Sequence, residues 1–212
     1  MLFRSDPDRA EDTARSITDA TQKAQALAGI AQALAPTDPG RTSRLWGEAE
    51  VTARTIAHGQ QKALTLARIV LALAPADPDR AERTAQGITD ASMKAQALAG
   101  IAQALAATDP DRAERTAQSI THGHQKALAL AGVARALAPS DAERAILLAA
   151  EAERIAGSIP NALSKAQALA GVAQALADTS PDRAERIAGS ITNESLRAQT
   201  LAGVARVWLG DA

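Results

Sequence analysis

By residue type, the side chains best able to bind a metal or carry a proton are three histidines: His58, His122 and His124. Two of them stand in Thr-His-Gly-His-Gln-Lys, from Thr121 to Lys126. Residues two apart on a helix do not face each other, and no cysteine or third histidine lies nearby in sequence. They are read as exposed loop residues rather than ligands. The chain has no cysteine, which excludes disulfides, thiolate catalysis and cysteine metal sites. The recurring carboxylates Asp6, Asp38, Asp77, Asp109 and Asp141, with Ser180 in the sixth place, precede Pro or a helical pattern. They read as helix N-caps. An acid–base pair needs two unlike environments, whereas a repeated cap offers the same one each time. There is no G-x-S-x-G, no H-E-x-x-H and no Gly-rich phosphate loop. Asn193-Glu194-Ser195 matches a glycosylation acceptor by composition alone. The expectation is a non-enzyme with no catalytic residue, cofactor or metal.

Two columns of cations have the spacing of a ligand-binding surface. One is Arg9, Arg41, Arg80, Arg112, Arg144 and Arg183; the other is Lys23, Lys62, Lys94, Lys126, Lys165 and Arg197. Such columns could hold an acidic peptide. The plainer reading is surface salt-bridging and packing of the aliphatic stems. Asp19–Lys23, Asp90–Lys94, Asp79–Arg83, Asp111–Arg115 and Asp182–Arg186 offer partners at i,i+4.

The elements that position these residues are written as a repeat. The starts fall at Asp6, Asp38, Asp77, Asp109, Asp141 and Ser180, with spacings of 32, 39, 32, 32 and 39 residues. The repeats are therefore 6–37, 38–76, 77–108, 109–140, 141–179 and 180–212, in one domain spanning 1–212. Asp109 follows Asp6 by 103 residues and Asp141 follows Asp38 by the same 103, so 6–108 and 109–211 are an internal duplication. The second and fifth repeats carry seven extra residues. Seven is close to two helical turns, so the insertion keeps the apolar face in phase and should lengthen a helix. The expected long helices are Arg41–Ile56 and Ala142–Ile159, with Gly47 the weak point of the first.

Each repeat reads as two helices. The first opens Asp-Pro-Asp-Arg-Ala-Glu-Arg and the second runs through patterns such as Lys-Ala-Gln-Ala-Leu-Ala-Gly-Ile-Ala-Gln-Ala-Leu. Six repeats give about twelve helices. Gly29, Gly100, Gly132, Gly171 and Gly203 share one mid-helix place, where glycine costs helix stability; close helix approach is the expected reason. The stretch Leu-Ala-Gly-Ile-Ala-Gln-Ala-Leu-Ala-Ala-Thr-Asp-Pro-Asp-Arg-Ala-Glu-Arg, from Leu98, resembles a tetratricopeptide repeat read from its first helix. Leu-x-Gly and a small residue one turn on carry the resemblance. The family's unit is 34 residues, and its Trp and Tyr places hold Ala or Ile here. The resemblance implies an all-α right-handed superhelix, an α-solenoid of helical hairpins with a concave binding face. HEAT-like stacking and a closed (α/α)6 toroid are the alternatives.

Composition agrees with the helical reading. Hydrophobic residues make up 46% of the chain but aromatics only 1%: Phe3, Trp46 and Trp208. The formal net charge is −1, with no cationic excess and few stacking rings, so nucleic acid is not expected as a partner. No run of about 18 apolar residues is present, so no membrane span is expected. The opening Met-Leu-Phe-Arg-Ser-Asp-Pro has no apolar stretch of signal-peptide length; a cytoplasmic location is expected.

A specific site must break the repeat, since identical surfaces cannot fix a partner's register. One stripe of the second helix reads Gln25-Gly29-Gln32, Gln96-Gly100-Gln103 and Gln167-Gly171-Gln174 in the odd repeats. The second repeat has Leu64-Arg68-Leu71, the fourth Leu128-Gly132-Arg135 and the sixth Gln199-Gly203-Arg206. Trp46 stands where the fifth repeat has Ala149. Trp and Arg are favoured interface anchors. The candidate partner-binding residues are thus Trp46, Leu64, Arg68, Leu71, Leu128 and Arg135, for a protein or peptide. A second reading of Trp46 is that it fills space beside the lengthened helix. Phe3 and Trp208 make the ends apolar, which allows a homo-oligomer. The function expected from the sequence is a scaffold binding a protein or peptide, with self-assembly as the alternative and an (α/α)6 enzyme behind both.

Overall fold

A computed structural model describes residues 6–209, except the side chain of Trp208. Phe3 lies outside the described residues. Among them there are twelve α-helices and no strand: α1 (Pro7–Ser16), α2 (Ala20–Leu34), α3 (Pro39–Arg54), α4 (Gly59–Leu73), α5 (Pro78–Gln86), α6 (Ala91–Leu105), α7 (Pro110–Gln118), α8 (Gly123–Leu137), α9 (Ala142–Gly157), α10 (Ala162–Leu176), α11 (Pro181–Gly189) and α12 (Glu194–Trp208). None is long and apolar enough to cross a membrane. The chain forms two compact bodies, Met1–Ala97 and Leu98–Ala212.

The helix starts are chemically defined. The Asp6, Asp38, Asp77, Asp109 and Asp141 carboxylates accept from the amide of the residue three on, at 2.9–3.2 Å. Each satisfies one of the donors a helix leaves unpaired at its N-terminus. Asp19, Asp90, Asn161 and Asn193 do the same for second helices, at 2.8–2.9 Å. Ser180 stands at the N-cap of α11 without making this bond.

The two long helices are where the phase of the insertion places them. Helices α3 and α9 have 16 residues each, against nine in α5, α7 and α11. Helix α3 runs unbroken through Trp46 and Gly47. Both end two residues before the expected Ile56 and Ile159, because the last amides turn back three residues instead of four. The two isoleucines still anchor the turn, at 6% and 9% exposure.

Packing follows one local rule within each body. A second helix lies on its own first helix, on the next hairpin's first helix and on the next hairpin's second helix: α2 touches α1, α3 and α4, and α10 touches α9, α11 and α12. The core is built mostly from Ala with a few larger residues, most of them on second helices; Leu45, Leu73, Leu130 and Leu176 are fully buried. Small side chains let many helix backbones come close, so apolar burial is spread over many thin contacts.

A groove across the second helices

Four arginines of the Arg column, Arg41, Arg80, Arg144 and Arg183, are engaged by carboxylates. Arg80 Nε donates to Glu50 Oε1 at 3.0 Å and its Nη2 to Glu50 Oε2 at 3.2 Å, while its Nη1 reaches the Ser43 carbonyl at 2.9 Å. Arg144 meets Glu114 at 2.7 Å and Asp111 at 2.6 Å. Arg183 meets Glu153 at 2.6 Å, and Arg41 pairs with Glu11 and Asp8. In all four cases the glutamate stands 30 residues before the arginine, on the preceding hairpin's first helix. The hydrogen bonds to Asp8 and Glu114 hold the Arg41 and Arg144 guanidiniums above their ordinary pKa. Glu11, 1% exposed, also accepts from Arg15 at 2.8 Å and Arg44 at 3.0 Å. Asp111, expected beside Arg115, pairs with Arg144 of α9.

Four members of the second column bond carbonyls at or just beyond the ends of first helices. Lys126 and Lys165 Nζ donate to the Gln118 and Gly157 carbonyls at 2.8 Å, Lys94 to Gln86 at 3.5 Å and Arg197 to Ile191 at 3.4 Å. A cation there satisfies an unpaired carbonyl and lies at the negative end of the helix dipole. Asp19 and Asp90, the i,i+4 neighbours of Lys23 and Lys94, cap their own helices.

Gly47, the expected weak point of α3, has a packing role. A Cβ there would sit 3.2 Å from the Arg80 Nη2, so glycine leaves room for the guanidinium to reach Glu50. The stripe glycines differ from the expectation of close helix approach. A Cβ at Gly29 or Gly203 would meet nothing within 4 Å. At Gly132 it would meet Gln103 Cγ at 3.3 Å, and at Gly171 Leu128 Cδ2 at 3.0 Å. What crosses these two glycines is a stripe side chain of the preceding second helix, not a helix backbone.

The stripe itself is open. Gln32, Arg68, Gln103, Arg135, Gln174 and Arg206 are exposed. Leu71 is 39% exposed, and Leu64 and Leu128 are half-buried. In the C-terminal body Gln103, Leu128, Gly132, Arg135, Gly171 and Gln174, from α6, α8 and α10, line one shallow depression with Ala131. Leu128 and Arg135 are thus brought together, with Leu128 lying across Gly171. In the N-terminal body Leu64, Arg68 and Leu71 form a mixed apolar and cationic patch along α4. Trp46 does not join it. The indole is 2% exposed within the hairpin, and its Nε1 has no hydrogen-bond partner among the described residues. That placement matches the space-filling reading: Ala149, its counterpart, is also fully buried.

The histidines divide. His58 and His122 stand at the N-caps of α4 and α8 without a side-chain cap bond. His124 is not an exposed loop residue: it lies on α8, half-buried, with Nδ1 3.0 Å from the Ser164 carbonyl of α10. The second helices pack side by side, which brings it there. No group of three or more metal-binding side chains gathers among the described residues.

No protein-family model matches the chain, and no curated protein does. Among solved structures, Ton1535 from Thermococcus onnurineus NA1 is similar at 15% identity over 95% of this chain and 84% of that one. Its TM-score of 0.37 is too low for the likeness to bear on fold or function.

Proposed function

We propose that the chain is a non-catalytic helical-repeat scaffold of tetratricopeptide-like type that binds an extended protein segment along its second-helix stripes. The observation that carries this reading is the depression lined by Leu128, Gly132, Arg135, Gly171 and the two glutamines Gln103 and Gln174. It combines an apolar contact, an exposed guanidinium and amide groups able to bond a peptide backbone. The six stripes contain three arginines and no acidic residue. The segment that fits them bears carboxylates beside an apolar side chain. Leu64, Arg68 and Leu71 offer the same chemistry in the N-terminal body. Clustered exposed apolar residues mark contact surfaces, and the stripe breaks the repeat at these places.

The test is selection from a displayed random-peptide library. Acidic–apolar sequences should be enriched, and their binding should weaken in Leu128→Gln and Arg135→Glu. Leu64→Gln with Leu71→Gln should act likewise while lowering stability by less than about 2 kcal/mol, since neither leucine is fully buried. Gln already fills these places in three repeats. No enriched class, or a loss of several kcal/mol in the double variant, would refute the reading.

A further inference from the structure

The first- and second-helix faces at opposite ends of the repeat series are complementary halves of a contact that the fold already makes internally. On α2, α4, α8 and α10 the face that receives the next hairpin's first helix is closed. Ala24, Ala28 and Ala31; Ala63, Ala67 and Val70; Ala127, Ala131 and Ala134; Ala166, Ala170 and Ala173 are all at most 6% exposed. On α12 the same places, Ala198, Ala202 and Ala205, are exposed, and Leu209 beyond them is 75% exposed. Helix α1 shows the opposite half. Its Ala10 and Thr13 are exposed and Ile17 half-buried. Their counterparts Ala81, Thr84 and Ile88 of the third hairpin are at most 3% exposed, and Ala184, Ile187 and Ile191 of the sixth at most 4%.

The ion-pair ladder is open at the same two ends. Arg9 has no carboxylate partner among the described residues, and neither Asp182 nor Glu185 has a cation. All three are exposed. Inside the C-terminal body the same residue types meet as Arg144 with Asp111 and Glu114. Apolar shape and charge therefore agree on one occupant.

We propose that α12 and α11 of one copy dock α1 of a second copy, head to tail. In this contact Ala10, Thr13 and Ile17 lie on Ala198, Ala202, Ala205 and Leu209, and Arg9 pairs with Asp182 and Glu185. The contact repeats the internal step between hairpins, and it uses faces other than the stripe, so it goes beyond the proposed peptide groove. Because the two surfaces differ, the interface is heterologous: it adds copies until a ring closes, or continues as a filament.

A charge swap tests it. The full chain should show mass rising with concentration in light scattering or sedimentation. Arg9→Glu and Glu185→Arg should each remain monomeric with unchanged melting, since both side chains are exposed. Each substitution should weaken association by about tenfold or more, from an attractive to a repulsive pair. An equimolar mixture of the two variants should assemble again. There the unaltered Glu185 of one variant meets the unaltered Arg9 of the other, and at the alternate contact the two substituted charges attract in reversed order. Ala202→Glu should block assembly in any mixture. A wild-type chain that stays monomeric at millimolar concentration would overturn the proposal. So would assembly that none of these substitutions alters, or single variants that do not complement each other. Peptide capture by the stripe would be unaffected by any of these results.

Discussion

Glu50 and Glu153 occupy equivalent places in the two long helices, each 30 residues before the arginine it holds. Their surroundings differ. The Glu50 side chain is 9% exposed and Arg80 18%, while Glu153 is 35% exposed and Arg183 30%. Glu50 also accepts from Thr84 Oγ1 at 2.8 Å. Glu50→Ala therefore strands a desolvated guanidinium and a buried hydroxyl; removing one partner of a buried pair costs about 3–5 kcal/mol. The Ser43 carbonyl stays in place for Arg80, which puts the expectation near the lower end, about 3 kcal/mol. Glu153→Ala breaks a pair that water already screens, worth about 0.2–1 kcal/mol. Urea unfolding followed by helix circular dichroism, with hydrogen exchange of α3 and α9 amides, reads each body separately. A repeat array need not unfold in one step, so the local amides matter. Glu50→Gln, which retains one acceptor, should fall between. Equal losses in the two Ala variants, within about 0.5 kcal/mol, would refute the argument that burial decides what a ladder rung contributes.

The stripe glycines give a second contrast. Gly29→Ala should raise stability by about 0.5–1 kcal/mol, since the helix gains propensity and the new Cβ meets nothing; Gly171→Ala should gain less or lose, because Leu128 lies 3.0 Å from the Cβ position. Melting temperatures in that order confirm the assignment. Trp46→Phe removes a buried N–H that has no acceptor, offsetting part of the lost packing, and should stay within about 1.5 kcal/mol of the parent. Trp46→Ala should cost about 3–5 kcal/mol, read by the same melts.

The hairpins were legible because their signals are local. Asp-Pro fixes each first-helix start through a cap three residues long, and a seven-residue insertion can only preserve the face by adding turns. The open stripe was legible because Gln recurs there against an Ala and Leu background. What lay beyond the sequence is what depends on how one hairpin faces the next. The Arg column was visible, but its partner column of Glu11, Glu50, Glu114 and Glu153 was marked only by the constant 30-residue step from each Glu to the next Arg. The glycines misled because low propensity says neither whether a Cβ is excluded nor by what: nothing excludes one at Gly29 or Gly203, and a side chain does at Gly132 and Gly171. Trp46 was ambiguous for a similar reason: an indole suits an interface and a gap equally, and only its burial separates the two.

The ladder also decides which cations a ligand can use. Arg41, Arg80, Arg144 and Arg183 are engaged by carboxylates of the preceding hairpin. Lys94, Lys126 and Lys165 are held on helix-end carbonyls, and Arg197 on the Ile191 carbonyl just past α11. A ligand competing for either set would have to displace a fold contact before gaining its own. On the stripe, Arg68, Arg135 and Arg206 are exposed and unpaired among the described residues, so an acidic group gains them without that cost. These three arginines stand where the Gln-Gly-Gln pattern is broken. The stripe can thus vary one residue at a time without disturbing the ion pairs between first helices.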